Sequence, residues 1–328
     1  MWMRREHPLF VLAAALAAGL PAAGCTRDDQ ARPIRFAHQN RVGCAACLVA
    51  VEKGFFADEG LAVEASRLNS GDACAEALFT GSADIGDMGD TTAVIAASRG
   101  VPLRIIASHG SGEHRHRLVV RGDGAIRRPE DLAGKRLAVK KGTSTYGGLL
   151  AFLAARRMAP ENIHIVDLRP DDMPDALMAG SVDAFAASEP TPSLAEAQGA
   201  RELATLGGLG NAYPILILAK TELIETRPGD VRRFLRALDR AERFIAAQPD
   251  ETAALLARAT GLAPETARRA MERHAYRLTL DPDILSSLQD TARFLKGQGI
   301  IEAVPDFARA ISPECLNAVL REHRQGQK

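Results

Sequence analysis

Short apolar runs alternate with amphipathic stretches along the chain from Ile34 onward. Each apolar run has the length of one buried strand, whereas the stretches between carry apolar residues at helical spacing, as at Tyr146, Leu149 and Leu153. Several helical stretches end at a glycine, the residue that most easily takes left-handed backbone beyond a helix. Strands that alternate with helices predict a largely parallel, helix-covered sheet and hence an α/β fold. The candidate strands are 34–37, 61–65, 103–107, 118–120, 136–139, 163–166, 184–187 and 214–218.

Two polar, glycine-rich segments interrupt this alternation. One, at 122–124, follows the candidate strand at 118–120, and the other, at 207–211, precedes the candidate strand at 214–218. Chain crossings at both places predict a small domain inserted into a discontinuous larger one. From Thr221 onward the pattern is almost purely helical, and we expect this tail to pack on the first domain. The expected division is 34–121 for the first part of lobe 1, 122–212 for lobe 2, and 213–328 for the second, mostly helical part of lobe 1.

The N-terminus has the pattern of an export signal. Two arginines precede an apolar run at 9–20 that is too short to span a bilayer comfortably, and Ala-Ala-Gly-Cys follows at 22–25. This sequence resembles the lipobox of bacterial lipoproteins, in which the cysteine is acylated after cleavage. We therefore expect a signal peptide at 1–24, lipidation of Cys25, a linker at 25–33, and a lipoprotein anchored on the periplasmic or cell-surface side. A soluble secreted protein cleaved near the same place is the alternative.

The charge balance argues against nucleic-acid binding. Lys plus Arg and Asp plus Glu each number 41, which gives a formal net charge of zero, and aromatic residues make up only 5%. A protein that coats phosphates carries a basic excess or stripe, and a platform for base stacking needs aromatic rings. The composition is that of a globular protein without a nucleic-acid partner.

Four segments of the chain resemble the substrate-binding proteins of ABC importers. They are EKGFFADEGL at 52–61, ALFTGSADIG at 77–86, PEDLAGKRLAV at 129–139 and ALMAGSVDAF at 176–185. The match is to the group that binds aliphatic sulfonates, taurine, nitrate and thiamine precursors, and it extends in order over residues 34–300. The resemblance implies a type II periplasmic-binding-protein fold, in which two lobes, each a helix-covered mixed sheet, close on one small ligand.

The same resemblance implies a function and its partners. The protein is expected to be a monomeric, extracytoplasmic component of an ABC importer that captures a small polar solute by hinge closure and delivers it to a membrane permease. Amino-sulfonates, sulfonates, nitrate and aminopyrimidine-like compounds are the expected solutes, with no cofactor and no catalytic residue. Two enzymes remain as alternatives: a thiol oxidoreductase that uses Cys44 and Cys47, and a pyrimidine-forming relative of the thiamine-precursor group.

Candidate ligand-binding residues lie where strands end and helices begin, which is where open α/β sheets bind ligands. Ser70 and Gly71 open one helix, and Gly142, Thr143 and Ser144 open another. Free backbone N–H groups and hydroxyls at a helix start suit a sulfonate, carboxylate or nitrate oxygen. Ser70 and Thr143 could instead simply cap their helices. The candidate set also contains Asn40, Cys44, Met88 and Tyr213.

Three acidic residues occupy similar positions. Asp87 and Asp90 follow a predicted strand, and Glu189 follows the candidate strand at 184–187. A buried carboxylate needs a partner, which a ligand ammonium or amino group would supply. These residues therefore favour a zwitterion or an amino-heterocycle as the solute. The alternatives are that Asp90 caps a helix and that Asp87 pairs with a nearby Lys or Arg.

Cysteines and histidines provide the remaining chemistry. Cys44 and Cys47 form a CxxC motif at the start of a predicted helix, and Cys74 opens another. Because an exported chain meets an oxidising compartment, a disulfide among these three or quiet thiols are favoured over a soft-metal site or redox catalysis, and no metal site is assigned. The histidines at 109, 114 and 116 lie in a segment whose composition is typical of an exposed loop.

Overall fold

The computed structural model describes residues 32–326. The predicted signal peptide at 1–24 and Cys25 lie outside these residues. None of the described helices combines the length and the apolar character that are needed to cross a membrane.

Two five-stranded sheets and the helices that cover them make up the described part of the chain. The strands are β1 (Ile34–Gln39), β2 (Val63–Leu68), β3 (Ile85–Gly89), β4 (Leu103–Gly110), β5 (His116–Arg121), β6 (Arg136–Val139), β7 (His164–Asp167), β8 (Ala184–Ser188), β9 (Ala200–Thr205) and β10 (Ile215–Lys220). The helices of the first half are α1 (Ala45–Glu52), α2 (Phe55–Asp58), α3 (Gly71–Phe79), α4 (Asp90–Ser98), α5 (Ser144–Ala155), α6 (Met173–Met178) and α7 (Thr191–Glu196). Those of the second half are α8 (Thr221–Thr226), α9 (Pro228–Ala247), α10 (Pro249–Thr260), α11 (Pro264–Met271), α12 (Pro282–Gly297), α13 (Phe307–Ala310) and α14 (Glu314–Gly326).

Both sheets have the same topology. The strand order is β2-β1-β3-β10-β4 in the sheet of lobe 1 and β7-β6-β8-β5-β9 in the sheet of lobe 2. In each, the first three strands pair in parallel, and the fourth runs antiparallel to both of its neighbours. The fold is therefore α/β with two mixed sheets, as the sequence predicts.

Helices bury both faces of each sheet. Phe36 and Ala37 are neighbours on β1 but enter two different apolar cores of lobe 1, because successive strand residues point to opposite faces. Leu118 and Val119 on β5 divide in the same way between the two cores of lobe 2. This two-sided burial explains why the strands are continuous apolar runs rather than alternating ones.

The C-terminal helices pack on lobe 1, as expected. Phe234 of α9 contacts Phe36 edge-on at 4.9 Å between ring centroids and stacks on Phe56 at 4.8 Å. Leu288 of α12 belongs to the core on the opposite face of the same sheet. Lobe 1 is thus assembled from two distant parts of the chain.

The predicted boundary after residue 121 is wrong. Strand β5 hydrogen-bonds to β8 and β9, so it belongs to lobe 2, and the chain first crosses between the lobes at 111–115. The glycine-rich segment at 122–124 follows β5 inside lobe 2, where the Gly122 N–H donates to the carbonyl of Gly199 at 3.0 Å. The return crossing runs through 206–214, between β9 and β10.

Strands β3 and β9 are missing from the candidate strands. Strand β3 is fully buried, but its sequence IGDMG contains two glycines and an aspartate, a composition that is typical of a loop. Asp87 therefore lies within a strand rather than after it, and Asp90 is the first residue of α4.

Candidate functional site

A narrow cavity lies between the two lobes. Its volume is about 50 Å³, enough for a few water molecules or a small head group. Lobe 1 contributes the chain after β1 and the start of α3, and lobe 2 contributes the turn before α5 and the end of β8. His274 adds a wall from the segment after α11, which is held beside β4 by two backbone hydrogen bonds of 2.9 Å between Ser111 and Ala275.

Basic side chains line this cavity. Arg41, Arg115 and Lys140 all reach it, whereas no carboxylate among residues 32–326 lines it. Arg41 and Arg115 are only 6% and 5% exposed. Buried guanidinium groups stay charged, so the cavity carries a concentrated positive charge.

Arg41 connects the two lobes. Its Nη1 donates to the Thr191 hydroxyl of lobe 2 at 2.9 Å, and its Nε donates to the carbonyl of Asn69 in lobe 1 at 3.2 Å. The carboxylate of Asp171, also in lobe 2, lies 3.6 Å from Nη2. Burial lowers the pKa of Arg41, and Asp171 opposes this effect.

Arg115 has an unused donor. Its Nε donates to the carbonyl of Tyr213 at 3.0 Å, but its buried Nη2 has no hydrogen-bond partner among the described residues. Burial lowers the pKa of Arg115, whereas the nearby Asp90 raises it. An unpaired buried donor costs about 1–3 kcal/mol, and an anionic oxygen in the cavity would relieve that cost.

A buried and a half-buried histidine also present an unpartnered nitrogen. His116 and His274 both line the cavity, and the Nε2 atom of each has no partner among the described residues. Nδ1 of His274 lies 2.9 Å from the carbonyl of Ala270, so Nδ1 must carry the proton and donate it. Burial lowers the pKa of His274 to about 3 and that of His116 well below its usual value, and Arg115 adds to both effects. Both imidazoles are therefore neutral near pH 7.

Helices α3 and α5 begin at the cavity from opposite lobes. The first backbone N–H groups of a helix have no partner within it and suit an anion. Ser70 lines the cavity without capping α3, but the Thr143 hydroxyl accepts from the Tyr146 N–H at 3.4 Å and so caps α5. The Ser144 hydroxyl donates to Asp90. The backbone at these helix starts therefore remains the donor, while two of the predicted hydroxyls are already engaged.

Glu189 does not line the cavity. It accepts a hydrogen bond of 2.7 Å from Arg117 Nη1 and another of 3.2 Å from the Ser193 N–H. Arg117 also pairs with Glu196 and Glu202. Burial acts to lower the pKa of Arg117, but Glu189 and Glu196 hold it above its usual range. Glu189 already has a cationic partner, so the structure offers no support for pairing it with a ligand ammonium.

The two aspartates are likewise engaged within the protein. Asp90 of lobe 1 accepts from Ser144 of lobe 2, from the Thr91 N–H at 2.8 Å and from the Thr291 hydroxyl at 3.0 Å. Asp87 accepts from the Gln39 N–H at 2.7 Å behind the cavity wall. The acidic cleft that favours a zwitterion is therefore not present in the described residues.

The other candidate residues divide between the cavity and its surroundings. Asn40 donates to the Ala259 carbonyl at 2.7 Å, the Gly142 carbonyl accepts from Thr92 at 2.9 Å, and the Tyr213 hydroxyl donates at 3.0 Å to a carbonyl next to β9. Met88 is fully buried in the core. The predicted residues that line the cavity are Cys44, Ser70, Gly71, Thr143 and Ser144, and those that do not are Asn40, Asp87, Met88, Asp90, Gly142, Glu189 and Tyr213.

The cysteines among residues 32–326 are buried free thiols, so of the two predicted states of Cys44, Cys47 and Cys74 the structure has quiet thiols and not a disulfide. Burial raises the pKa of Cys44, Cys47 and Cys74 well above the usual value, and Asp87 raises it further. A thiol oxidoreductase needs a thiol whose pKa is lowered. The CxxC motif therefore does not support thiol–disulfide catalysis.

The two lobes are in close contact at two glycines, where a side chain of one lobe lies against the backbone of the other. A Cβ added at Gly89 of lobe 1 would lie 1.9 Å from Ser144 Oγ of lobe 2, and one added at Gly147 would lie 2.4 Å from Thr91 Oγ1. Both distances are shorter than any real contact. The closed arrangement of the lobes thus requires glycine at these two positions.

The most informative residues of the cavity are not in the predicted set. They are Arg41, the adjacent pair Arg115 and His116, Lys140 and His274, which come from four separate places in the chain, and arginine is a residue type that usually lies at the surface. His109 and His116 are each 1% exposed, so the exposed-loop interpretation is correct only for His114. The one available signal is that Arg41 follows β1, where a ligand is expected.

Curated proteins with established or assigned names resemble this chain over most of its length. The chain is 27% identical over 331 residues to a protein of Bacillus subtilis (strain 168) whose name provisionally assigns it to aliphatic sulfonate binding, and the match covers 99% of each chain. It is 27% identical over 274 residues to the taurine-binding periplasmic protein of Escherichia coli (strain K12), covering 79% of this chain and 85% of the relative.

Solved structures show the same fold. The alkanesulfonate-binding protein SsuA from Xanthomonas axonopodis pv. citri, bound to MOPS, superposes with a TM-score of 0.79 at 24% identity, covering 86% of this chain and 98% of that one. The family model described as NMT1/THI5 like matches residues 42–252, which is more than half of the chain. The predicted periplasmic-binding-protein fold is confirmed, and the chain belongs to the NMT1/THI5-like family.

Proposed function

We propose that the protein is the extracytoplasmic solute-binding component of an ABC importer and that its solute is a small organic sulfonate. The observation that carries this proposal is the unpartnered Nη2 of Arg115, which lies at a cavity without carboxylates. Arg41 and Lys140 add positive charge from both lobes. The relatives named for sulfonate and taurine binding match most of the chain, and a solved alkanesulfonate-binding protein has the same fold.

A sulfonate fits the donors of the cavity. Its three oxygens share one negative charge and can accept from a guanidinium and from the N–H groups at the starts of α3 and α5. Because Arg41 and the α3 start belong to lobe 1 and the α5 start belongs to lobe 2, one head group contacts both lobes. The bound anion then favours the closed state through its higher affinity for it.

The sequence predicts a preference for a zwitterionic solute, and we replace it with a preference for the sulfonate group, whether or not the solute carries an amine. Since Asp87, Asp90 and Glu189 do not line the cavity, no carboxylate of the described residues is available there to pair with an ammonium group. Alkanesulfonates without an amine should therefore bind at least as well as taurine. The part of the solute beyond the head group extends toward the cavity mouth.

Membrane attachment and transport complete the proposal. Cys25 is the lipidation site that anchors the protein to the outer side of a membrane, and the closed, loaded form is what the permease accepts. The similarity to the taurine-binding periplasmic protein of Escherichia coli supports this location.

Isothermal titration calorimetry with ethanesulfonate, taurine, sulfate and nitrate tests the proposal. Ethanesulfonate should bind to the wild-type protein, and Arg115→Met should weaken its affinity at least about 30-fold because a buried charged donor is lost. Arg121→Met is the matched control, since Arg121 is the last residue of β5, the strand that begins directly after Arg115, and is exposed. Absence of binding by every sulfonate, or equal affinity in Arg115→Met and wild type, would contradict the proposal.

A further inference from the structure

A second cluster of functional groups lies behind the wall of the cavity. The sulfur of Cys44, a carboxylate oxygen of Asp87 and a ring nitrogen of His109 all lie within 4.8 Å of one another. The three side chains are buried, with at most 1% of each exposed. They come from three separate elements of lobe 1: the turn before α1, strand β3 and strand β4.

Asp87 is the unsatisfied member of this cluster. Its Oδ1 accepts from the Gln39 N–H at 2.7 Å, but its Oδ2 has no hydrogen-bond partner among the described residues and lies 3.6 Å from Nε2 of His109. Among residues 32–326, no Lys or Arg forms an ion pair with Asp87. Asp87 is therefore a buried carboxylate without a Lys or Arg partner among these residues, and a bound cation would supply the missing charge.

Further sulfur atoms surround the same point. Cys47 Sγ lies 3.8 Å from His109 Nε2, the nitrogen that also faces Asp87. Cys74 Sγ lies 3.7 Å from Asp87 Oδ1. Ionisation of thiols packed around a carboxylate is unfavourable because it places like charges together. A bound metal ion reverses this effect, because its positive charge stabilises the thiolates.

We propose that Cys44, Asp87 and His109 bind a divalent cation of the zinc class, with Cys47 as the fourth ligand. Sulfur, imidazole and carboxylate are the ligands that zinc takes in tetrahedral sites, whereas magnesium and calcium take oxygen alone. Binding deprotonates the two thiols and releases their protons to solvent.

The spacing of the donors is close to that of a tetrahedral site. Bond lengths of about 2.0–2.3 Å place ligand atoms about 3.5 Å apart around zinc. The separation of 3.6 Å between Asp87 Oδ2 and His109 Nε2 already matches. The donors of Cys44, Asp87 and His109 lie within 4.8 Å of one another and need to move inward by about 1 Å, and Cys47 joins them from its position 3.8 Å from His109 Nε2. The Gln39 N–H that holds Oδ1 fixes the carboxylate in orientation, as supporting groups do in metal sites.

Metal titration in the absence of any sulfonate tests this proposal independently of the solute. The purified protein, kept reduced with a phosphine and stripped with a chelator, is titrated with Zn²⁺ in competition with a chromophoric chelator. One equivalent should bind, and Cys44→Ser should weaken the affinity at least about 100-fold because a direct ligand is lost. Cys315→Ser is the matched control, since it removes another buried thiol that lies on α14.

Cobalt substitution identifies the ligands. The Co²⁺-loaded wild type should show the sulfur-to-cobalt charge-transfer band and the visible bands of a tetrahedral site, and the Cys44→Ser, Cys47→Ser double variant should lack the former. Asp87→Asn retains the volume and the acceptor for Gln39, and it should lower zinc affinity while circular dichroism shows an intact fold. Substoichiometric zinc, or equal affinity in wild type, Cys44→Ser and Asp87→Asn, would overturn the proposal.

Discussion

The Arg41 guanidinium of lobe 1 donates a hydrogen bond to the Thr191 hydroxyl of lobe 2 over 2.9 Å. Both groups are buried, and Arg41 also holds the Asn69 carbonyl of its own lobe. This bond exists only when the lobes are closed. It therefore contributes directly to the free-energy difference between the closed and open states.

Thr191→Val should weaken sulfonate binding. The substitution keeps the shape of the side chain but leaves a buried guanidinium donor unpaired, which costs about 1–3 kcal/mol. Since closure is coupled to binding, affinity should fall roughly 5- to 150-fold in calorimetry. Thr226→Val, on the exposed side of α8, should leave the affinity unchanged. An unaltered affinity in Thr191→Val would show that the bond does not stabilise closure.

Glu189→Gln should reduce stability without changing ligand preference. Glu189 is paired with the buried Arg117, so neutralising it weakens a buried ion pair. Because Arg117 keeps Glu196 and Glu202, we expect the free energy of unfolding to fall by about 2 kcal/mol, which is less than for a fully orphaned charge. Urea denaturation measures the loss. A selective loss of amine-bearing ligands would instead return Glu189 to the binding site.

The stability of the protein should decrease as the pH falls from 7 to 5. The pKa of His274 is lowered to about 3 by burial and by Arg115 and Arg273, against the Ala270 carbonyl, and the ring stacks on Tyr276. The unfolded chain takes up the proton near pH 6.5, whereas the folded chain does not until about pH 3, so acid favours the unfolded state.

Between pH 7 and pH 5 this single histidine should cost about 2 kcal/mol of the free energy of unfolding. Urea denaturation at both pH values should show a smaller difference in His274→Gln than in wild type. His164→Gln, which changes an exposed imidazole on β7, is the control. Equal pH dependence in His274→Gln and wild type would mean that His274 is protonated in the folded state.

Cys25→Ser should release the protein from the membrane. The apolar run at 9–20 followed by Ala-Ala-Gly-Cys predicts a lipid on this residue. After cell fractionation, the wild type should sediment with membranes and partition into detergent, and the variant should remain in the soluble extracytoplasmic fraction. Cys315→Ser, which removes a thiol on α14, should behave like wild type. Membrane association of Cys25→Ser would exclude the lipid anchor.

The secondary structure could largely be predicted from the sequence because a parallel strand covered on both faces is an apolar run of fixed length. Strand β3 could not, since Gly86 and Gly89 occupy places where neighbouring atoms leave no room for a side chain. That tight packing is a tertiary property. Local composition at Ile85–Gly89 is instead that of a loop.

The position of the cavity could be predicted from the sequence, but its positive charge could not. Helix starts at Ser70 and Thr143 are local features that the sequence displays. The acids at 87, 90 and 189 look available in the sequence, but distant residues such as Arg117 and Thr291 engage them. Conversely, Arg115 and His274 meet only because the segment after α11 lies beside β4.

The pairing of β5 with β9 has a consequence for the order of folding. Arg117 lies opposite Thr205, so the first and last strands of lobe 2 are side by side and the lobe is one uninterrupted stretch of chain. As the polypeptide emerges, this lobe can complete its own sheet and cores as soon as β9 is synthesised. Lobe 1 must wait, with β3 unpaired on one side and β4 without a neighbouring strand, until β10 is inserted between them and α9 arrives to cover Phe36. A nascent chain that has emerged from the ribosome as far as residue 210 would therefore have a finished second lobe and an unfinished first one, whose exposed strand edges are those that a chaperone would need to protect.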